Sequence, residues 1–187
     1  MLFLLACFSE KSDNNDTGAS STYPSNCPSA DLSSDMAFDE SCQEYDGVDV
    51  AGGTSYFLGD LCISGTSVGA EVSGKETWRI IANDTWRETG QNSCSVVWNT
   101  IGVVTEPTGC PTCTIGMTLT ASIDRSLTDC PPDLWTEEET LQENYDVFIE
   151  SDGSLQWFFS GSGTRFASGV RQDSSLGYIS DPTCVWF

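Results

Sequence analysis

The chain has 187 residues, with seven Lys and Arg against twenty-eight Asp and Glu, a formal charge of −21, nine cysteines and no histidine. So acidic a chain repels a phosphate backbone or an anionic lipid surface, which argues against nucleic-acid binding and electrostatic membrane binding. The missing histidine excludes Ser-His-Asp and Cys-His catalysis, imidazole metal ligation and histidine pH sensing.

The chain opens Met1-Leu2-Phe3-Leu4-Leu5-Ala6-Cys7, a short apolar run closed by Leu-Leu-Ala-Cys. This resembles the lipobox of bacterial lipoproteins, in which Leu-x-(Ala/Gly)-Cys ends the signal and the cysteine becomes the acylated first residue. The resemblance implies that residues 1–6 are a signal-peptide remnant and that Cys7 is the lipidation site. The membrane is then a partner through the lipid on Cys7. No Lys or Arg precedes Cys7, and the run is shorter than the roughly 7–15 residues of a signal core. The expected translation start therefore lies upstream. Residue 8 is Phe. In Gram-negative lipoproteins an Asp there goes with inner-membrane retention, so the resemblance favours an exported protein anchored to the outer membrane.

Residues Ser9 to Asn26 carry only Ala19 and Tyr23 as apolar side chains and cannot bury enough surface to offset their ordering entropy. Residues 7–26 are therefore expected to be a lipid-anchored, disordered acidic tether, and 27–187 a single disulfide-rich β domain. Asp16-Thr17-Gly18 matches the aspartic-protease triplet, but that chemistry needs two aspartates in a rigid dry site, and only one copy is present. Asp13-x-Asn15-x-Thr17-Gly18 begins like an EF-hand loop. Its twelfth position is Pro24, where a bidentate Glu is required, so the loop fails. A looser calcium site around Asp46 and Asp49 is a minor alternative; the expectation is no metal and no cofactor.

With Cys7 set aside, Cys27, Cys42, Cys62, Cys94, Cys110, Cys113, Cys130 and Cys184 form an even set, expected to make four bridges in an oxidising compartment. Gly65-Thr66-Ser67-Val68-Gly69 fits the G-x-S-x-G nucleophile elbow. Without a histidine base, and in Gly- and Ser-rich company, it reads instead as a hairpin. Cys110-Pro111-Thr112-Cys113 is a C-x-x-C that leads into a strand and not a helix. It is expected to be two structural half-cystines bonded to different partners, with Cys130 a natural partner for one of them.

The fold is expected to be all-β: an antiparallel sandwich or barrel, disulfide-stapled, with at most one short helix. Thr114 to Asp124 alternates without a break, Ile115, Met117, Leu119, Ala121 and Ile123 on one face and Thr, Ser and Asp on the other. Further strands are expected at Thr54–Leu61, Thr66–Ser73, Glu76–Asn83, Ser95–Val104, Thr164–Arg171, Leu176–Ser180 and Thr183–Phe187, punctuated by Gly, Asn, Asp and Pro. Thr136 and Glu139 fit a capping box, so the one helix is placed at about 137–143. Tyr145–Glu150 and Ser154–Phe159 are expected to pair around a three-residue Ser151-Asp152-Gly153 loop with Gly153 left-handed. That register puts Tyr145, Val147, Ile149, Leu155, Trp157 and Phe159 on one buried face.

The whole chain is also similar to the acidic, cysteine-rich exported lipoproteins of myxobacteria and their relatives, on the lipobox, the Asp-Thr-Gly tether and the C-x-x-C before a strand. That group brings no activity to carry over. The expected function is a non-catalytic surface or periplasm-facing lipoprotein, a binding or structural module without catalytic residues, its protein or glycan ligand unknown. The alternative is a carbohydrate-active β-sandwich, lectin-like or working as a glycosidase with two carboxylates, which needs no histidine. Trp98 and Trp157 are expected in the core, and Trp78 and Trp86, beside Arg79 and Arg87, are the candidates for a sugar platform.

Overall fold

Period-two alternation dominates the long apolar segments, and in the computed structural model it resolves into strands. The structure describes residues 27–30, 32, 44–45, 48–49, 52–82, 93–130, 139–181 and 183–186. Two short strands, β1 (Glu44–Tyr45) and β2 (Val48–Asp49), pair with each other. Then come β3 (Gly52–Ile63), β4 (Glu71–Ala82), β5 (Ser93–Thr105), β6 (Ile115–Ile123), β7 (Thr140–Ile149), β8 (Ser154–Phe159), β9 (Arg165–Gln172), β10 (Ser175–Ser180) and β11 (Thr183–Trp186). Each of β3 to β10 pairs antiparallel with the next, and β10 returns to β3, Leu176 opposite Leu61 and Tyr178 opposite Gly59. The eight strands β3–β10 thus form a closed up-and-down barrel, which decides barrel over sandwich and removes the free edges of an open sheet. β11 continues the closure along the other half of β3, Cys184 opposite Thr54.

The inner wall follows the alternation. The lower apolar cluster gathers Leu61, Ile63, Val72, Val104, Met117, Leu119, Val147, Leu155, Trp157 and Leu176 among others. The upper one holds Ile80, Cys94, Val96, Trp98, Ala121 and Cys130. β6 matches its expected alternation, with Ile115, Met117, Leu119 and Ala121 buried.

The β7–β8 hairpin has the expected three-residue loop: Ile149 faces Leu155, Val147 faces Trp157 and Tyr145 faces Phe159. Gly153 has φ +90°, where an L side chain is strained, and its N–H donates to Glu150 O at 3.0 Å. The expected face is buried at Tyr145, Val147, Leu155 and Trp157. Phe159 departs from it. It lies at the end of its strand and is 44% exposed, its ring against Phe166 at 4.8 Å and Tyr145 at 6.0 Å.

Two expected elements are corrected. The helix over 137–143 does not form, since Thr140–Glu143 belong to β7, which pairs with β6 from Ser122 opposite Thr140 onward. Residues 131–138 lie outside the described residues. Leu141, Glu143, Tyr145, Val147 and Ile149 continue one face at period two, and ten residues of ladder outweigh one capping box. The strand expected at Thr66–Ser73 begins only at Glu71. The preceding residues form an exposed turn between β3 and β4, in which Ala70 N–H donates to Ser67 O at 2.9 Å.

Candidate functional site

Inward positions on neighbouring strands meet in layers, and one layer is polar. Glu76 on β4 lies between Gly59 of β3 and Trp98 of β5 in register, at the junction of the two apolar clusters. Its side chain is 1% exposed. A Cβ on Gly59 would sit 1.8 Å from the Tyr178 ring, so glycine there is what lets Tyr178 of β10 lie across β3. The Tyr178 hydroxyl then donates to Glu76 Oε1 at 2.6 Å. From β7, Glu143 brings a second carboxyl beside Glu76 and the Tyr145 hydroxyl.

Electrostatics follow from this geometry. Burial, then the Glu143 carboxyl alongside it, push the Glu76 carboxyl well above the usual carboxylate range. Burial and the same carboxyls push the Tyr145 and Tyr178 phenols well above theirs. Four buried polar atoms in the described residues make no hydrogen bond: Trp98 Nε1, Thr100 Oγ1, Glu143 Oε2 and Trp157 Nε1. Each costs on the order of 1–3 kcal/mol of desolvation.

This pair was not anticipated in the sequence. The signal was present: Glu76 continues the Val72, Gly74, Trp78, Ile80 face, and Glu143 lies two residues before Tyr145 on the face assigned to the core. Assigning 137–143 to a helix hid the second. Two acids are also what a glycosidase needs, but at about 5 Å or more across an open cleft. Glu76 lies inside the closed barrel at 1% exposure, not across an open cleft.

The other candidates are dispersed. Ser67, at the centre of the G-x-S-x-G match, is exposed in the β3–β4 turn and faces no base. Trp98 and Trp157 are core, as expected. Trp78 is half-buried and stacked on Phe57 at 6.3 Å, not held out as a platform. Trp86 and Asp46 lie outside the described residues, and of Asp49 only the backbone is described. Phe159 is the single exposed aromatic among the residues whose side chains are described. A groove of about 550 Å³ crosses the outer wall of β8–β10, lined by Leu32, Gln156, Arg165, Ser168, Val170 and Asp181, with no aromatic among its lining residues. No cluster of His, Cys, Asp and Glu fit to hold a metal is present in the described residues.

Three disulfides are formed among the described cysteines. Cys27 pairs with Cys62, and Cys94 with Cys130. Cys110 pairs with Cys113, which corrects the expectation that these two bond to different partners. Cys130 is taken by Cys94 inside the upper cluster, and a turn in which Cys113 N–H donates to Cys110 O at 2.9 Å sets the two Cα atoms 5.3 Å apart. That loop is gathered by Asp146. Its carboxylate accepts from the N–H groups of Thr108, Gly109 and Cys110 and from Ser160 Oγ. Burial alone would raise the Asp146 carboxyl; the Ser160 hydroxyl and the three N–H groups outweigh it and hold it below the usual range. Cys7 and Cys42 lie outside the described residues, and only the backbone of Cys184 is described.

No family model, curated protein or solved structure matches this chain.

Proposed function

We propose that the protein is a non-catalytic display module: a rigid β-barrel held at a bacterial membrane by the lipid on Cys7 and spaced from it by the tether of residues 7–26. The single observation that supports this best is the staple where the tether ends. Cys27 bonds to Cys62 on the outer side of β3. Immediately after it, Ala30 packs over β10, its Cβ in the space that a side chain at Gly177 would fill. The Ala30 N–H donates to Asp60 Oδ1 at 3.2 Å, and Ser175 Oγ donates to the same oxygen at 3.1 Å. Force or motion in the tether therefore meets the barrel wall at a covalent bond. Such a join suits a domain that is carried and presented. The packed interior, the enclosed Glu76 and the paired charges of the outer wall also favour a binding or structural role over catalysis. Asp124 illustrates that pairing. The Ser126 hydroxyl, with Asn99 and Lys75 behind it, holds its carboxyl down at about 2.

The reading is tested by expressing the protein in a Gram-negative host from a gene in which a full-length lipoprotein signal leads into Cys7. Mass spectrometry of the mature chain is expected to show a diacyl or triacyl Cys7 as the first residue, in the outer-membrane fraction. Cys7→Ala should leave the barrel folded and release it from membranes. A mature chain that keeps Met1 or the upstream signal would end this reading.

A further inference from the structure

We propose that a proton held on the buried Glu76 carboxyl locks the middle of the barrel, and that its release at rising pH loosens the packing between β4, β7 and β10. This goes beyond the display function and does not depend on it.

The two carboxyls come from non-adjacent strands and meet where the lower apolar cluster gives way to the upper one. The titratable groups of the layer are Glu76 from β4, Glu143 and Tyr145 from β7, and Tyr178 from β10. β3, β5, β6, β8 and β9 send Gly59, Trp98 and Thr100, Leu119, Trp157 and Ala167 towards the interior, none of which titrates. No cation faces the pair among the described residues. Lys75 is engaged with Asp124, Arg125 with Glu139 and Arg165 with Asp181 on the outside, and Arg79 and Arg171 are exposed. A carboxylate at 1% exposure, with a second carboxyl beside it and no cation, is costly to form. A proton on Glu76 removes that charge and leaves Oε1 free to accept from Tyr178.

Losing the proton matters because the charge it leaves is buried. The hydrogen bond from Tyr178 offsets only part of that cost, and the Glu143 carboxyl beside it opposes the charge, so ionisation draws in water by local opening. The direction in pH follows. A carboxyl whose folded-state value is raised contributes stability that is complete below the unfolded-chain value, about 4.3 for Glu. That contribution is lost as pH rises through the folded-state value. The barrel is therefore tighter in acid than in alkali. This is opposite in sign to Asp124 and Asp146, whose carboxyls are lowered and lose stabilising contacts only in acid.

The test compares the full chain, its disulfides intact, with Glu76→Gln. The amide still accepts from Tyr178 and supplies a permanent N–H towards Glu143, so it imitates the locked state. Denaturant unfolding between pH 5 and 9 should show the wild-type folding constant falling relative to Glu76→Gln, by up to about tenfold per pH unit for a single proton. Glu143→Gln leaves burial, the first cause, in place and should only move the onset of the fall to lower pH. Should either variant fail to fold, infrared spectroscopy of the wild type decides. A protonated carboxylic-acid band is expected to persist at pH 7 in the folded protein and to vanish on unfolding at that pH. Parallel pH profiles for wild type and Glu76→Gln would overturn the proposal, as would the absence of that band at pH 7.

Discussion

Strand β7 runs through two different environments, and they are held by different physics. Its C-terminal part, Tyr145 to Ile149, enters the lower cluster, where Val147 is fully buried against aromatic and aliphatic neighbours. Its N-terminal part, Thr140 to Asn144, carries Glu143 into the polar layer and lays Gln142 and Asn144 on the outer wall against Thr120 and Thr118. On its inward face burial stabilises the first part through area, at about 25 cal/mol per Å², while Asp146 on the outward face holds the loop at 108–110 by hydrogen bonds. The second depends on a proton, on a 2.6 Å hydrogen bond and on the space left by one glycine. An apolar cluster loses stability in proportion to what is removed, whereas a polar layer depends on whether its partners remain.

The largest effect expected from this contrast is at Trp157, fully buried between Tyr145 and Tyr178, whose rings lie 5.7 and 4.2 Å away. Trp157→Ala should cost about 3–5 kcal/mol in urea unfolding. That loss should be the same at pH 5 and pH 8, because no charge is involved. A loss that varied strongly with pH would mean the two environments are not separate.

The disulfides carry the contrast into covalent chemistry. Replacing Cys94 and Cys130 together with Ser opens a crosslink spanning 36 residues inside the upper cluster. The chain-entropy model gives about 4 kcal/mol for it. Replacing Cys110 and Cys113 together opens a crosslink spanning three residues at the barrel rim, for which the same model gives about 1.5–2 kcal/mol. The Asp146 cradle should hold that loop in place without its bridge. Calorimetry of the two double variants checks the ranking, and equal losses would show that the cradle contributes nothing.

A smaller effect is expected in the polar layer. Tyr178→Phe keeps the ring over Gly59 and removes only the hydroxyl. The cost should be about 1–3 kcal/mol, that of a buried carboxyl left without a partner. Unlike Trp157→Ala, it should grow as pH rises and Glu76 is asked to ionise. An effect below a few tenths of a kcal/mol at every pH would mean that water replaces the hydroxyl freely.

What was legible in the sequence divides along the same line. β6 and the β7–β8 hairpin could be read because their alternation is complete and a left-handed Gly153 fixes the register. The barrel was legible only as one of two all-β options. Closure depends on β10 meeting β3, a pairing between residues more than a hundred positions apart with no local signature. The acid pair was legible in principle, since both glutamates lie on apolar faces at period two. It was lost because a local capping signal over Thr136 and Glu139 was weighed more heavily than a ladder whose partner strand could not yet be seen. The Cys110–Cys113 bridge was missed for a related reason: its choice of partner depends on Cys130 being held by Cys94, a fact of packing and not of spacing.

The account rests on a closed barrel in which Tyr178 crosses β3 at Gly59 to reach Glu76. Proton NMR of the isotope-labelled protein tests this directly. Strong nuclear Overhauser contacts are expected between the Gly59 Hα protons and the Tyr178 ring, with the Gly59 Hα resonances shifted by the ring current. If Gly59 shows no contact with Tyr178 and the β3 and β10 amides exchange as free edges, the sheet is open. The polar layer, the acid pair and the lock built on it would then not exist as described.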